Sequence, residues 1–220
     1  MKTGILAAIL IAGLAFPTAA QTLNWSGMQE DQRHIINANV SWDYAATVGV
    51  GYGYRIETKV PTVFSAQISL PAGENVGDDF KAKLGGQVRV VQRGRFQATV
   101  AIFGLYRQTT NHLVKLQNFG GEFTGVIGYY RPRWFVAAEC GFDKAIVTRI
   151  RNSEAMKHIY PGVRDGWYVP TGGNFVFALQ AGYSFSSLDI VLKTGKTVDQ
   201  NLNTSAMMPI TFQLGVNARF

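Results

Sequence analysis

Apolar and polar side chains alternate along most of this chain, most regularly at its C-terminal end. From Met208 the even positions are Met208, Ile210, Phe212, Leu214, Val216, Ala218 and Phe220. The odd ones from Thr211 onward are Thr211, Gln213, Gly215, Asn217 and Arg219. A period of two places successive side chains on opposite faces of a strand, so this segment has one oily and one polar face. The pattern first appears after His34, where Ile36, Ala38, Val40, Trp42 and Tyr44 alternate with Asn37, Asn39, Ser41 and Asp43. It recurs with Val48, Val50, Tyr52, Tyr54 and Ile56 against Thr47, Gly49, Gly51, Gly53 and Arg55. Further strands are predicted at Thr62 to Leu70, Ala82 to Gln92, Phe96 to Gln108, Gly121 to Arg131, Trp134 to Thr148, Asn174 to Ser186 and Leu188 to Thr197. In the strand from Trp134 a phase change is expected near Lys144. With the terminal strand, that makes ten.

The connections test this count. Glu57 to Pro61, Gln92 to Arg95, Arg131 to Arg133 and Ser186 to Ser187 read as tight turns. Pro71 to Lys81, Thr109 to Gly120, Arg149 to Gly172 and Val198 to Ala206 read as long loops. Short and long links alternate, as they do when antiparallel strands cross a layer with turns on one side and loops on the other. The link Tyr44 to Ala46 is short where this parity asks for a long one. An eight-stranded version that merges the first pair therefore stands beside the ten-stranded one.

Residues 1–20 carry one positive charge, Lys2, then an apolar run from Gly4 to Phe16 and the small residues Thr18, Ala19 and Ala20. This is the form of a secretory signal peptide. The run falls short of the ~20 apolar residues of a membrane-spanning helix. The organisation expected is a signal peptide over 1–20, a polar periplasmic lead-in over 21–33 that could also fold into the lumen as a short plug, and a barrel over 34–220.

Hydrophobic residues make up 47% of the chain and charged ones 16%, yet no stretch is long and oily enough for a helical span, so entry into a bilayer requires a closed barrel. The formal net charge is +7. For an exported chain this favours anionic lipopolysaccharide or acidic ligands over nucleic acid. The single cysteine, Cys140, excludes an internal disulfide, and no base is apparent beside it to activate its thiol.

The terminal segment QLGVNARF resembles the C-terminal assembly signal of bacterial outer-membrane β-barrels through Gln213, Gly215 and Phe220, with Ala218 where a bulkier apolar residue is commoner. The stretches FDKAIVT (142–148) and PAGENVGDDFKAKLGGQ (71–87) resemble those of small uncharacterised outer-membrane barrels from Bacteroidota-type bacteria. The resemblance implies an all-β, transmembrane, antiparallel up-and-down barrel in the cell outer membrane. It implies contacts with outer-membrane lipid, lipopolysaccharide and the assembly machinery, and it brings no functional residues.

If the oily faces look outward, aromatic side chains fall into two girdles. Tyr52, Tyr54, Phe96, Tyr129, Trp134, Tyr183, Phe185 and Phe220 lie toward the tight turns, and Trp42, Tyr44, Tyr106 and Phe142 toward the loops. The same phase turns Arg55, Lys83, Arg89, Arg107, Glu122, Glu139, Asp143, Asp189, Lys193 and Arg219 into the lumen. Charges of both signs in a narrow cavity are expected to pair, because an unpaired buried charge is costly. A polar conduit or binding cavity is the functional alternative.

Catalytic signals are thin. Rim enzymes acting on lipid A or peptides, such as omptin-like proteases, need a His with an acid within hydrogen-bond reach. Here Asp78, Asp79, His112 and His158 are scattered singly over three loops. Gly195, Lys196 and Thr197 imitate the end of a phosphate loop without its leading glycine. No cofactor or metal is expected. The loop from Arg149 to Gly172 interleaves Arg149, Arg151, Lys157 and Arg164 with Tyr160, Trp167 and Tyr168, a composition suited to sugars, lipid headgroups or a protein partner. The expected activity is therefore non-enzymatic: loop or partner binding, as a subunit of a larger outer-membrane complex or alone, or a narrow solute path.

Overall fold

The computed structural model describes residues 23–42, 46–56, 58–72, 79–170, 172–202 and 205–220. The presequence over 1–20, Asp43, Tyr44 and Asp78 lie outside the described residues. Ten strands make the wall: β1 (His34–Trp42), β2 (Ala46–Ile56), β3 (Thr62–Pro71), β4 (Asp79–Arg93), β5 (Phe96–Thr110), β6 (Val114–Tyr130), β7 (Trp134–Asn152), β9 (Gly173–Phe185), β10 (Leu188–Asp199) and β11 (Ser205–Arg219). A helical turn and a half, α1 (Glu154–Ile159), and a three-residue strand, β8 (Gly166–Tyr168), follow β7.

Every strand pairs antiparallel with its neighbours in the sheet, and two seams close it. β6 pairs with β7, and β1 pairs with β11 from Ile35 opposite Arg219 to Trp42 opposite Phe212. Among the described residues no sheet edge of the ten-stranded wall is left open, so strand pairing satisfies its backbone without solvent. β1 and β2 are separate strands, which removes the eight-stranded alternative.

The barrel is inverted relative to a soluble protein. Ile36, Val50, Phe64, Ile68, Leu84, Ile102, Phe123, Ile127, Val136, Leu179 and Leu192 are exposed, while Asn37, Asn39, Ser41, Gln67, Lys83, Glu139, Gln180, Asp189, Lys193 and Asn217 are buried inside. Aromatic contacts band both ends of the oily belt. Tyr129 touches Phe96 and Trp134 near the tight turns, and Tyr106 touches Phe80 and Phe119 near the loops. Phe119 and Tyr129 are ten residues apart on β6, about 33 Å of strand. At the usual tilt this is a belt about 25 Å tall, the height of a membrane-spanning barrel's apolar band. The protein is a transmembrane β-barrel of the outer membrane. Among the described residues no helix is long and apolar enough to cross a membrane.

All four expected loops are shorter than predicted because their strands run on; β3 extends to Pro71 and β4 begins at Asp79. β5 and β6 continue to a tight turn over 111–113, where the Asn111 side-chain oxygen accepts from the amides of Leu113 and Val114. Gly120 and Gly121, which suggested the end of a loop, lie inside β6. A Cβ at Gly120 would come within 2.3 Å of the Lys144 carbonyl oxygen, so this close approach of strands requires glycine. β7 runs to Asn152, and β10 to Asp199. The phase change falls at a bulge, with Phe119 opposite Val147 and Gly120 opposite Ala145, which leaves Ile146 unpaired and exposed. β4 through β7 are the longest run of neighbouring strands, so one side of the barrel rises above the belt as a raised wall.

Candidate functional site

The lumen is filled in layers. At the tight-turn end, residues 23–33 fold across the mouth. Asn24 is fully buried, and its side-chain amide donates to the Arg131 carbonyl oxygen at 3.0 Å and to Ser184 Oγ at 2.8 Å. Its Oδ1 accepts from the amides of Ser26 and Gly27, an Asx turn that reverses the segment. Leu23 and Trp25 pack with Ile35 and Val63. The Arg89 guanidinium lies 5.7 Å from the Trp25 ring, Gln97 donates to Ser26 Oγ at 2.6 Å, and Arg55 donates to the Gln29 carbonyl oxygen at 2.8 Å. Gly27 is seated so closely that a Cβ there would be 2.7 Å from the Pro132 carbonyl oxygen. Across the lumen Tyr130 stacks on Phe135 at 5.1 Å, both almost fully buried.

Above this cap lie the charges. Arg219 Nη2 is 2.9 Å from Asp189 Oδ1, and both side chains are inaccessible to solvent. Glu139 accepts from Lys193 Nζ and Gln180 Nε2. Lys83 pairs with Glu122 and also faces the Phe103 ring at 5.9 Å. Asp143 stands opposite Glu122 in register on β7. Near the loop end Arg107 Nε lies 3.9 Å from Asp79 Oδ1, which also accepts from Thr109 Oγ1 at 3.1 Å.

Of the ten charges expected inside, six therefore form three close pairs: Lys83 with Glu122, Lys193 with Glu139, and Arg219 with Asp189. Arg55 and Arg89 hold the 23–33 segment, and Arg107 holds Asp79 at longer range. Sequence reasoning missed Asn24 and Trp25 as anchors. The signal available was the Asn24, Ser26, Gly27 spacing of an Asx turn beside a lone tryptophan.

The raised wall carries the second group of residues. Arg149 and Arg151 belong to β7, and β8 pairs beside them, with Arg149 opposite Trp167 and Thr148 opposite Tyr168. The Arg149 guanidinium lies 5.5 Å from the Trp167 ring, which in turn contacts Phe119. Ser153 caps α1 by accepting from the Met156 amide. Lys157 bridges Glu154 and Asp165, while Asp165 Oδ1 accepts from the Asn152 backbone and side-chain amides. These contacts hold the Asp165 carboxyl below its ordinary pKa, chiefly through the Asn152 backbone amide, and Glu154 and Asp165 raise that of Lys157. Tyr168 donates to the Arg164 carbonyl oxygen. The crown so formed leaves Ile159, Tyr160, Trp167, Tyr168 and Val169 exposed.

The remaining candidates stay apart. His112 sits in the β5–β6 turn and His158 on α1, both exposed. Among the described residues no hydrogen bond joins either to an acid, and no group of three or more His, Cys, Asp or Glu could hold a metal ion. Cys140 is exposed on the outer face. Gln213 points into the lumen between Ser41 and Lys193, Gly215 lies beside it on β11, and Phe220 stacks on His34 at 5.8 Å.

No family model matches the chain, and no curated protein matches it. Among solved structures it is similar to the KdgM porin in complex with disordered oligogalacturonate, at 9% identity and a TM-score of 0.44, covering 84% of this chain and 99% of that one. A second structure of the KdgM porin gives 8% identity, a TM-score of 0.44 and the same coverage. The β-domain of the Bordetella autotransporter Brka gives 9% identity and a TM-score of 0.35, covering 86% of this chain and 98% of that one.

Proposed function

We propose that this outer-membrane barrel is a sealed scaffold that acts through its crown, by holding a protein partner above the membrane, and that it does not pass solutes through its lumen. The observation that carries this reading is the contrast between the two ends of the molecule's chemistry. Inside, the paired charges Asp189, Arg219, Lys193 and Glu139 are buried and capped by Asn24 and Trp25. Outside, Ile159, Tyr160, Trp167, Tyr168 and Val169 stand exposed on a crown that lies beyond the oily belt. A cluster of large apolar and aromatic side chains on a braced loop has the composition of a protein-binding surface.

The test is extraction of the native membrane in mild detergent and co-purification with the barrel. The expected result is a protein recovered in constant ratio with the wild type and lost from a Tyr160→Ala/Val169→Ser variant that still migrates as a folded barrel. Recovery of the barrel alone, or equal recovery of the same protein with the variant, would contradict the proposal.

A further inference from the structure

Outward-facing side chains on the raised wall are arranged in rows. The first row above the oily belt is aromatic, with Tyr106 opposite Phe119 in register. The next contains Gln108, Gln117 and Arg149, and beside Arg149 stands Trp167. The row after that contains Thr110, Lys115 and Arg151. Side chains on one face of a strand are two residues, about 7 Å, apart, so the basic rows begin one step above the aromatic girdle. In a bilayer that is the headgroup layer.

Two features of these rows are unfavourable without an anion. Lys115 and Arg151 are direct cross-strand partners, and like charges in that position repel. Among the described residues no acid pairs with Lys115, Arg149 or Arg151. The two acids of the crown segment are engaged elsewhere: Glu154 by Lys157, and Asp165 by Lys157 and the Asn152 amides. Arg149 is nonetheless held in place, its guanidinium against Trp167 and Trp167 against Phe119. A pre-positioned guanidinium with two further cations above an aromatic row suits a phosphate carried on a lipid.

We infer that Lys115, Arg149 and Arg151 form a site for the phosphate groups of a glycolipid in the outer leaflet, bound against the outer surface of the raised wall with its acyl chains on the Tyr106 and Phe119 side. The site rests on the barrel's place in the membrane and stands whether or not the crown also holds a protein. Lys115 supplies a charge to the Arg151 row, and the ligand's phosphate removes the repulsion between them.

The test titrates the purified full-length barrel in detergent with a bis-phosphorylated glucosamine-disaccharide lipid, its dephosphorylated form, phosphatidylglycerol and inorganic phosphate, following bound lipid by native mass spectrometry. The phosphorylated glycolipid is expected to bind, and a Lys115→Gln/Arg149→Gln/Arg151→Gln variant to bind it more weakly by about tenfold or more. Heat-modifiable migration checks that this variant is folded, and Lys115→Gln alone, expected to weaken binding less, serves if it is not. Equal binding of the dephosphorylated lipid or of phosphatidylglycerol, displacement by inorganic phosphate at matched concentration, or unchanged affinity in the variants would each overturn the assignment.

Discussion

The Asn24 side-chain amide lies 2.8 Å from Ser184 Oγ, joining the 23–33 segment to the end of β9 across the mouth of the barrel. The same amide reaches the Arg131 carbonyl oxygen, so one side chain ties the 23–33 segment to two tight turns. With Gly27 pressed against Pro132, the segment fits as a cap whose seat has no room for a larger residue. A Gly27→Val substitution is therefore expected to lift the cap while leaving the wall closed. In a Cys140→Ser background carrying Leu23→Cys, thiol labelling should be slow, because Leu23 is buried, and should accelerate by about tenfold or more when Gly27→Val is added. Equal labelling rates would mean that the cap is not held there.

Glu139 accepts from both Lys193 and Gln180 in the middle of the lumen. Glu139→Ala would leave the Lys193 ammonium buried without its partner, at a cost of about 3 to 5 kcal/mol. Adding Lys193→Met should recover most of that loss. Urea unfolding in lipid vesicles measures both, and additive losses in the double variant would contradict the pairing.

Arg219 and Asp189 are the most deeply buried of the pairs, and Arg219 also donates to the Ser186 carbonyl oxygen. Arg219→Lys keeps the charge but loses the second contact of the planar guanidinium. It should destabilise the barrel by about 1 to 3 kcal/mol. An unchanged unfolding midpoint in vesicles would remove the structural role.

Most of the wall was legible in the sequence because a two-residue period is a local signal. Asn37, Asn39 and Ser41 face inward and Ile36 and Trp42 outward, as their alternation implies. The parts that were not legible depend on contacts between distant residues. The phase change of β7 near Lys144 was legible in the alternation, but its form was not: the bulge opposite Gly120 depends on a close approach between strands distant in the chain. The start of β6 at Val114 was not legible because Lys115, Gln117 and Asn118 put polar side chains on both faces, where alternation no longer carries information; pairing with β5 and β7 sets it. A short plug was one reading of the lead-in, but its anchors were hidden for a similar reason: Asn24 and Trp25 gain their meaning only from Ser184, Arg131 and Arg89.

The crown has its own pH dependence. The Asp165 carboxyl is held below its ordinary pKa, so the ordered crown binds fewer protons than the disordered one. Its contribution is complete above the ordinary carboxylate value of about 3.9 and is lost as pH falls through the lowered value. Protection of the Asn152 amide, measured by hydrogen exchange relative to its intrinsic rate, should be level from neutral pH down to about 4 and fall below that. Asp165→Ala should lower protection at neutral pH and remove its fall in acid. A midpoint of loss well above the ordinary carboxylate range would contradict the assignment.

A lumen sealed by its own side chains and by the 23–33 segment passes no ions. Single-channel recording of the wild-type barrel in a planar bilayer should therefore show no current steps above the lipid baseline; reproducible stepwise openings from the folded wild-type protein would contradict the seal.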